Sequence, residues 1–252
     1  IASCLVGSEM CIRDRSSYKN IKIVKAGLID NLDVDNNENY FSLYKTYRQT
    51  KYRKIKLVIL FFKVLFKLRL FFLIVNFKNF KYLLGGVKAN IGIEEIIKRE
   101  GVQIIHSHWF GPNCTSGIFA AKNFNIPILV SARGNDIFID KQIKYGMMLN
   151  PLKEKIIKYV SRNAERLSAP SNDFLDILNK LRKTSKGIVK IVNGIDTSFF
   201  KTRDGFHPFR ESLLLKDENY LILSIASLSP IKNHELKIQV LKLLNLSLIH
   251  IS

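Results

Sequence analysis

Cysteine, proline and tryptophan are scarce in this sequence, with three, six and one among 252 residues. Cys4 and Cys11 fall near the start, which leaves Cys114 alone in the body of the chain. Neither a disulfide framework nor a cysteine zinc site can be built, which fits a reducing, cytoplasmic setting. No glycine occurs between Gly7 and Gly27, so the glycine-rich turn expected after the first strand of a nucleotide-binding domain is missing. There is no Walker A motif, no Gly-x-Gly-x-x-Gly, no His-Glu-x-x-His and no Gly-x-Ser-x-Gly, which argues against kinases, dehydrogenases, metalloproteases and serine hydrolases. His106 and His108 have no third ligand at a useful spacing, so no metal is expected.

Acidic residues are also few, 21 against 40 Lys and Arg, for a formal net charge of +19. From Tyr40 to Ile93 they are absent, while twelve Lys or Arg occur among dense Phe, Leu, Ile and Val. A membrane-crossing helix is disfavoured. Lys63, Lys67 and Arg69 would each cost about 2.5 to 3.5 kcal/mol at mid-membrane, and no uninterrupted run of roughly 18 apolar residues exists. On one continuous helix Lys56, Lys63, Lys67 and Lys78 would form a narrow stripe bordered by apolar residues. That pattern suits core-packing helices with a solvated lysine edge, an anionic membrane surface as partner, or both. A base composition biased to A and T would also enrich Lys, Ile, Asn and Phe throughout, and no nucleic-acid reading module is visible, so nucleic acid is not an expected partner.

With 47% apolar residues the chain can bury a sizeable core. Val102–Ile105 reads as a buried strand that stops at His106-Ser107-His108-Trp109, and Ile128–Ala132 as a second that stops at Arg133-Gly134-Asn135-Asp136. Gly111-Pro112-Asn113 and a helix over Thr115–Phe124 lie between them, giving a right-handed βαβ unit. In parallel α/β sheets ligands bind at the carboxyl ends of strands, so the two loops define a candidate site. His108 and Asp136 are its candidate catalytic groups, Trp109 could stack on a sugar, and Arg133 with Gly134 could approach a ligand closely. The blander readings are a satisfied buried histidine, a packing tryptophan and an Arg-Asp turn. Downstream, a basic amphipathic helix over Pro151–Ala164 precedes a strand at Arg166–Pro170, and Ser171 caps a helix over Phe174–Leu181. A strand at Ile188–Val192 ends in Asn193-Gly194-Ile195-Asp196-Thr197, with Phe200 beyond. Tyr220–Ala226 reads as another strand, followed by Ser227-Leu228-Ser229-Pro230-Ile231-Lys232-Asn233 and a helix over His234–Leu244. A lysine at a helix amino terminus after a strand suits a diphosphate.

His-x-His-Trp, the Ile-Pro strand with Arg-Gly-Asn-Asp, and Asn-Gly-Ile-Asp-Thr with Phe200 together resemble the family-4 glycosyltransferases. Lys232 also matches that family's donor-site lysine. Ser227 stands where the family usually has Arg, and Asn233 replaces a Gly. The resemblance covers roughly Ile93 to Leu244. It implies a GT-B fold of two Rossmann-like domains, the acceptor-side one over 16–192 and the start of the donor-side one over 193–245. It also implies a retaining transferase, working without cofactor or metal, that moves sugar from a nucleotide-sugar to a glycan or lipid-linked acceptor in cell-surface polysaccharide synthesis. Asn193 and Gly194 would contact substrate at the domain crossing, and Lys232 with Ser227 would hold the donor diphosphate. With the lone Cys114 and the basic aromatic region, the expected location is the cytoplasm, with contact at the inner face of the cell membrane. Rival readings are a GT-B sugar-nucleotide epimerase and a basic protein that binds nucleic acid or membrane without catalysis.

The two ends look foreign. Met10–Asp14 and Ser247–His250 can be encoded by one short DNA in opposite orientations, and both resemble translated adapter sequence. Residues 1–15 and 246–252 are therefore expected to be non-native tails that pack on nothing, with the first Rossmann strand missing, the donor domain cut short and the fragment inactive.

Overall fold

The computed structural model describes residues 2–4, 22, 24–27, 40–71, 76–195, 197, 212–213 and 222–243. The chain forms two compact units, Ile1–Gly194 and Ile195–Ser252.

The first unit is a Rossmann-like α/β layer structure. Its strands are β1 (Ala2–Cys4), β2 (Val24–Gly27), β3 (Tyr40–Ser42), β4 (Ile105–His108), β5 (Ile128–Ser131), β6 (Arg166–Ala169) and β7 (Ile188–Lys190). They make one sheet in the order 3-2-1-4-5-6-7, with every neighbouring pair parallel. This is the doubly wound order, in which the chain leaves a central strand first one way and then the other. β1 is that central strand: Ala2 pairs with both Val24 and Ile105. Ala2–Cys4, inside the segment expected to pack on nothing, thus lies between β2 and β4. The ladder bonds through backbone, so three small residues without a hydrophobic signature can occupy the slot between β2 and β4. Residues 5–21 and 244–252, including the second expected tail, lie outside the described residues.

The helices of this unit are α1 (Leu43–Gln49), α2 (Arg53–Leu68), α3 (Phe77–Glu100), α4 (Pro112–Phe124), α5 (Pro151–Asn163) and α6 (Asn172–Arg182). Ser42, Asn76, Asn150 and Ser171 cap α1, α3, α5 and α6 through side-chain oxygens that accept amide protons of the first turn. α3 runs for 24 residues and packs against α1, α2 and α4. Its run Ala89–Ile93 is buried, and a Cβ on Gly92 would lie 2.5 Å from the Leu43 carbonyl oxygen, so only glycine allows that approach.

One boundary moves in a way that matters for the site. Val102 donates its amide back to the Ile97 carbonyl at 3.3 Å and so closes the end of α3. The ladder then begins at Ile105, which places His106 and His108 inside β4. They are therefore not in the loop that the run Val102–Ile105 predicts.

In the second unit a 3-10 turn, Pro230–Lys232, leads into α7 (His234–Leu243). The expected strand at Tyr220–Ala226 is not seen over its described part. Ile222–Ser227 has no ladder partner among the described residues, and Ile225 is 87% exposed. An apolar run becomes a strand only where a neighbouring strand takes its amides. Asp196 and Phe200 of the Asn-Gly signature lie outside the described residues.

Candidate active site

The carboxyl ends of β4, β5, β6 and β7 meet at one edge of the sheet, and their side chains are arranged in two tiers. The lower tier is a chain of hydroxyls and imidazole across three strands. His106 Nε2 lies 2.7 Å from Ser131 Oγ, which lies 2.6 Å from Ser168 Oγ. All three residues are buried, and each hydroxyl can donate to one neighbour while accepting from the other. Period-two alternation puts His108 on the same face as His106, with ring centroids 4.1 Å apart.

The upper tier is organised by Arg133, just past the end of β5. One guanidinium nitrogen lies 2.9 Å from Nδ1 of His108, and another donates to Oδ1 of Asn193 beyond β7. Arginine has no acceptor, so Nδ1 receives the hydrogen bond and His108 is neutral with its proton on Nε2. The fork of Arg133 thus ties the ends of β4 and β7 together, and His108, Arg133 and Asn193 are brought into one group. Gly194 follows Asn193 on the exposed side.

Asp136 sits beneath them and is fully buried. Its carboxylate accepts amide protons from Phe110 at 3.1 Å, Gly134 at 2.8 Å and Arg133 at 3.1 and 3.2 Å. Burial pushes its pKa up, while these amide donors pull it back down. Both oxygens face backbone, so Asp136 binds the loop after β4 to the loop after β5. Beside the catalytic role expected for it, Asp136 thus has a structural one, holding backbone amides with both oxygens. Gly134 contributes its amide at φ 125, a left-handed conformation open to glycine alone at acceptable cost.

Trp109 is half-buried and also left-handed, at φ 69, in the turn that leaves β4. Its amide donates to the Ser131 carbonyl at 3.0 Å, and its own carbonyl accepts from the Cys114 thiol. A non-glycine residue held there stores roughly 1 to 2 kcal/mol, which marks the turn as over-determined by its surroundings. Cys114 is fully buried, and desolvation pushes its thiol up to about 12.

A shallow depression lies beside these tiers, lined by His106, Ala132, Arg133, Pro170, Val192 and Asn193. His108 is 5% exposed, so the charged group that meets the depression is Arg133. The tier His106, Ser131 and Ser168 escaped the sequence reading. Its only signal is one polar residue within each of three strands.

The second unit carries Lys232 and Ser227. Lys232 closes the 3-10 turn, its amide donating to the Ser229 carbonyl at 2.9 Å, and its side chain is exposed. Asn233 is left-handed at φ 48, a conformation that Asn tolerates better than most residues and that explains how it can stand in for Gly. Its side chain accepts from the Leu236 amide at 3.3 Å and caps α7. Ser227 approaches Ser229 Oγ at 3.2 Å and accepts from the His234 ring through its carbonyl at 2.9 Å.

The family model described as Glycosyltransferase Family 4 matches residues 67–199, more than half of the chain. An uncharacterised glycosyltransferase of Methanocaldococcus jannaschii is 27% identical over 122 residues. The alignment covers 48% of this chain and 31% of that relative's length.

Proposed function

The chain belongs to glycosyltransferase family 4, and from that membership we propose that it takes sugar from a nucleotide-sugar and transfers it, with retention, to a glycan or lipid-linked acceptor of the cell surface. The observation that carries the reading is the Arg133 fork, anchored on His108 and Asn193 at the mouth of the depression.

Transfer of this kind must stabilise a departing diphosphate and the positive charge that develops at the sugar carbon. Arg133 is planar and permanently charged, and it is held on two sides, so it meets a phosphate or a sugar hydroxyl without reorganising. His108 is a positioning residue for Arg133. Asp136 positions both loops through backbone, Gly134 lets the substrate approach the chain, and Trp109 offers a ring face to the sugar. In the second unit Lys232 supplies charge to the diphosphate, with the Ser227 hydroxyl as a neutral donor in place of the family's arginine.

The test is to incubate the protein with a panel of nucleotide-sugars and an acceptor, and to read the anomeric configuration of the product by NMR. A product with the donor's configuration supports the reading. An inverted product, or a nucleotide-sugar epimerised with no acceptor glycosylated, overturns it.

A further inference from the structure

Helix α2 has two apolar faces, and only one is used by the fold. Leu60, Val64, Leu65 and Leu68 are buried in the core. At 100° per residue, Ile55, Val58, Ile59, Phe62 and Phe66 fall together on the opposite side. Every one of them is more than half exposed: Ile59 is 63%, Phe62 52% and Phe66 66%. Lys56, Lys63 and Lys67 form a strip along one border of this outer face. No Asp or Glu occurs anywhere from Tyr40 to Ile93. A solvated helix with a lysine edge would have polar residues here, and instead the outward stripe is aliphatic and aromatic.

We infer that α2 is an interfacial helix that lays Ile55, Val58, Ile59, Phe62 and Phe66 into an anionic lipid bilayer, with the lysine strip against the headgroups. A helix that is apolar outward and bordered by cations lies in the plane of such an interface. The uniform sign of charge argues against a second copy of the same face, since two such helices would bring their lysine strips together. No described helix is long and apolar enough to cross a membrane, so the contact is with one leaflet.

The placement also relates the bilayer to the site. The Lys155 ammonium donates to the Arg69 carbonyl at 3.2 Å, and Asn150 bonds Asn79 at 3.4 Å. The carboxyl end of α2 and the start of α3 thus meet the start of α5, which leaves the same sheet edge as Arg133. Phe66 and Phe71, whose rings meet edge-on with centroids 4.9 Å apart, mark that end. An acceptor held in the bilayer would then reach the site from the Phe66 end of α2. That last step rests on the transferase reading, whereas the docking does not.

The experiment is co-flotation of the whole chain with vesicles of phosphatidylcholine alone or mixed with phosphatidylglycerol. Binding to the mixed vesicles, released by salt, is expected. It should fall by at least about tenfold in Phe62→Ser/Phe66→Ser and in Lys63→Glu/Lys67→Glu. Both pairs are exposed, so unchanged circular dichroism and Tm are expected to accompany the loss. Undiminished flotation of either variant overturns the inference. So does a failure to float by a protein whose self-association the same substitutions abolish, since the face would then join two copies. Flotation without any glycosyl transfer leaves the docking standing and counts only against the transferase reading.

Discussion

Arg133 and His108 stand 2.9 Å apart across two strands, guanidinium against the unprotonated Nδ1 of a neutral imidazole. The contact holds only while the histidine is neutral, because a second proton would set two cations face to face. Arg133→Lys keeps the charge but cannot span His108 and Asn193 together. Transfer is expected to fall by roughly a hundredfold, with kcat changing more than KM, because a preorganised fork is worth about 3 kcal/mol where charge develops. His108→Gln should reproduce much of that loss, and the double variant should be less than additive. Additive losses would separate the two residues.

Asp136 is a matter of stability before chemistry. Asp136→Asn turns an amide NH2 toward backbone donors that now meet a carboxylate oxygen. A loss of roughly 2 to 4 kcal/mol is expected, seen by calorimetry as a fall of about 5 to 15 °C in Tm. An unshifted Tm with abolished transfer would leave Asp136 with the catalytic role alone.

Cys114 gives the chain a pH dependence of known sign. Its thiol is raised in the folded state from 9.0 to about 12. The stability it contributes is therefore fully present below pH 9 and lost as pH rises toward 12. Wild-type protein should lose up to about 1.4 kcal/mol per pH unit over that window relative to Cys114→Ala. At pH 8 the folded thiol should resist alkylation and react only on unfolding. Prompt labelling in the native state would show that the turn after β4 opens.

Removing residues 1–4 tests the central strand. β2 and β4 both bond to Ala2–Cys4, so the deletion should lower Tm by several degrees, at about 2 to 4 °C for each kcal/mol lost. A Tm unmoved by the deletion would mean that the sheet does not need this strand.

Much of the fold can be read in the residues. Apolar runs ended by Arg133, Pro170 and Asn193 alternate with capped amphipathic segments, and that alternation specifies a parallel sheet with its site at the carboxyl edge. Ser171 and Pro151 sit where caps and first turns require them. The site's internal wiring was not legible. That Asp136 faces backbone depends on Phe110, 26 residues away, and the His106–Ser131–Ser168 chain depends on strand register, which no local spacing encodes. β1 is hidden for a different reason: Met10–Asp14 resembles adapter sequence, which sets residues 1–15 aside and with them the pairing of Ala2–Cys4 between β2 and β4. The double face of α2 was half legible, since a lysine stripe is visible in sequence but the side turned to the core is decided by packing.

The most direct test of the account is the rate of sugar transfer from nucleotide-sugar by wild type and by Arg133→Ala, made at the same length and checked for equal folding by circular dichroism. The expected result is transfer by wild type and a rate lower by a hundredfold or more, roughly 3 kcal/mol, in the variant. Equal rates in the two proteins would contradict it.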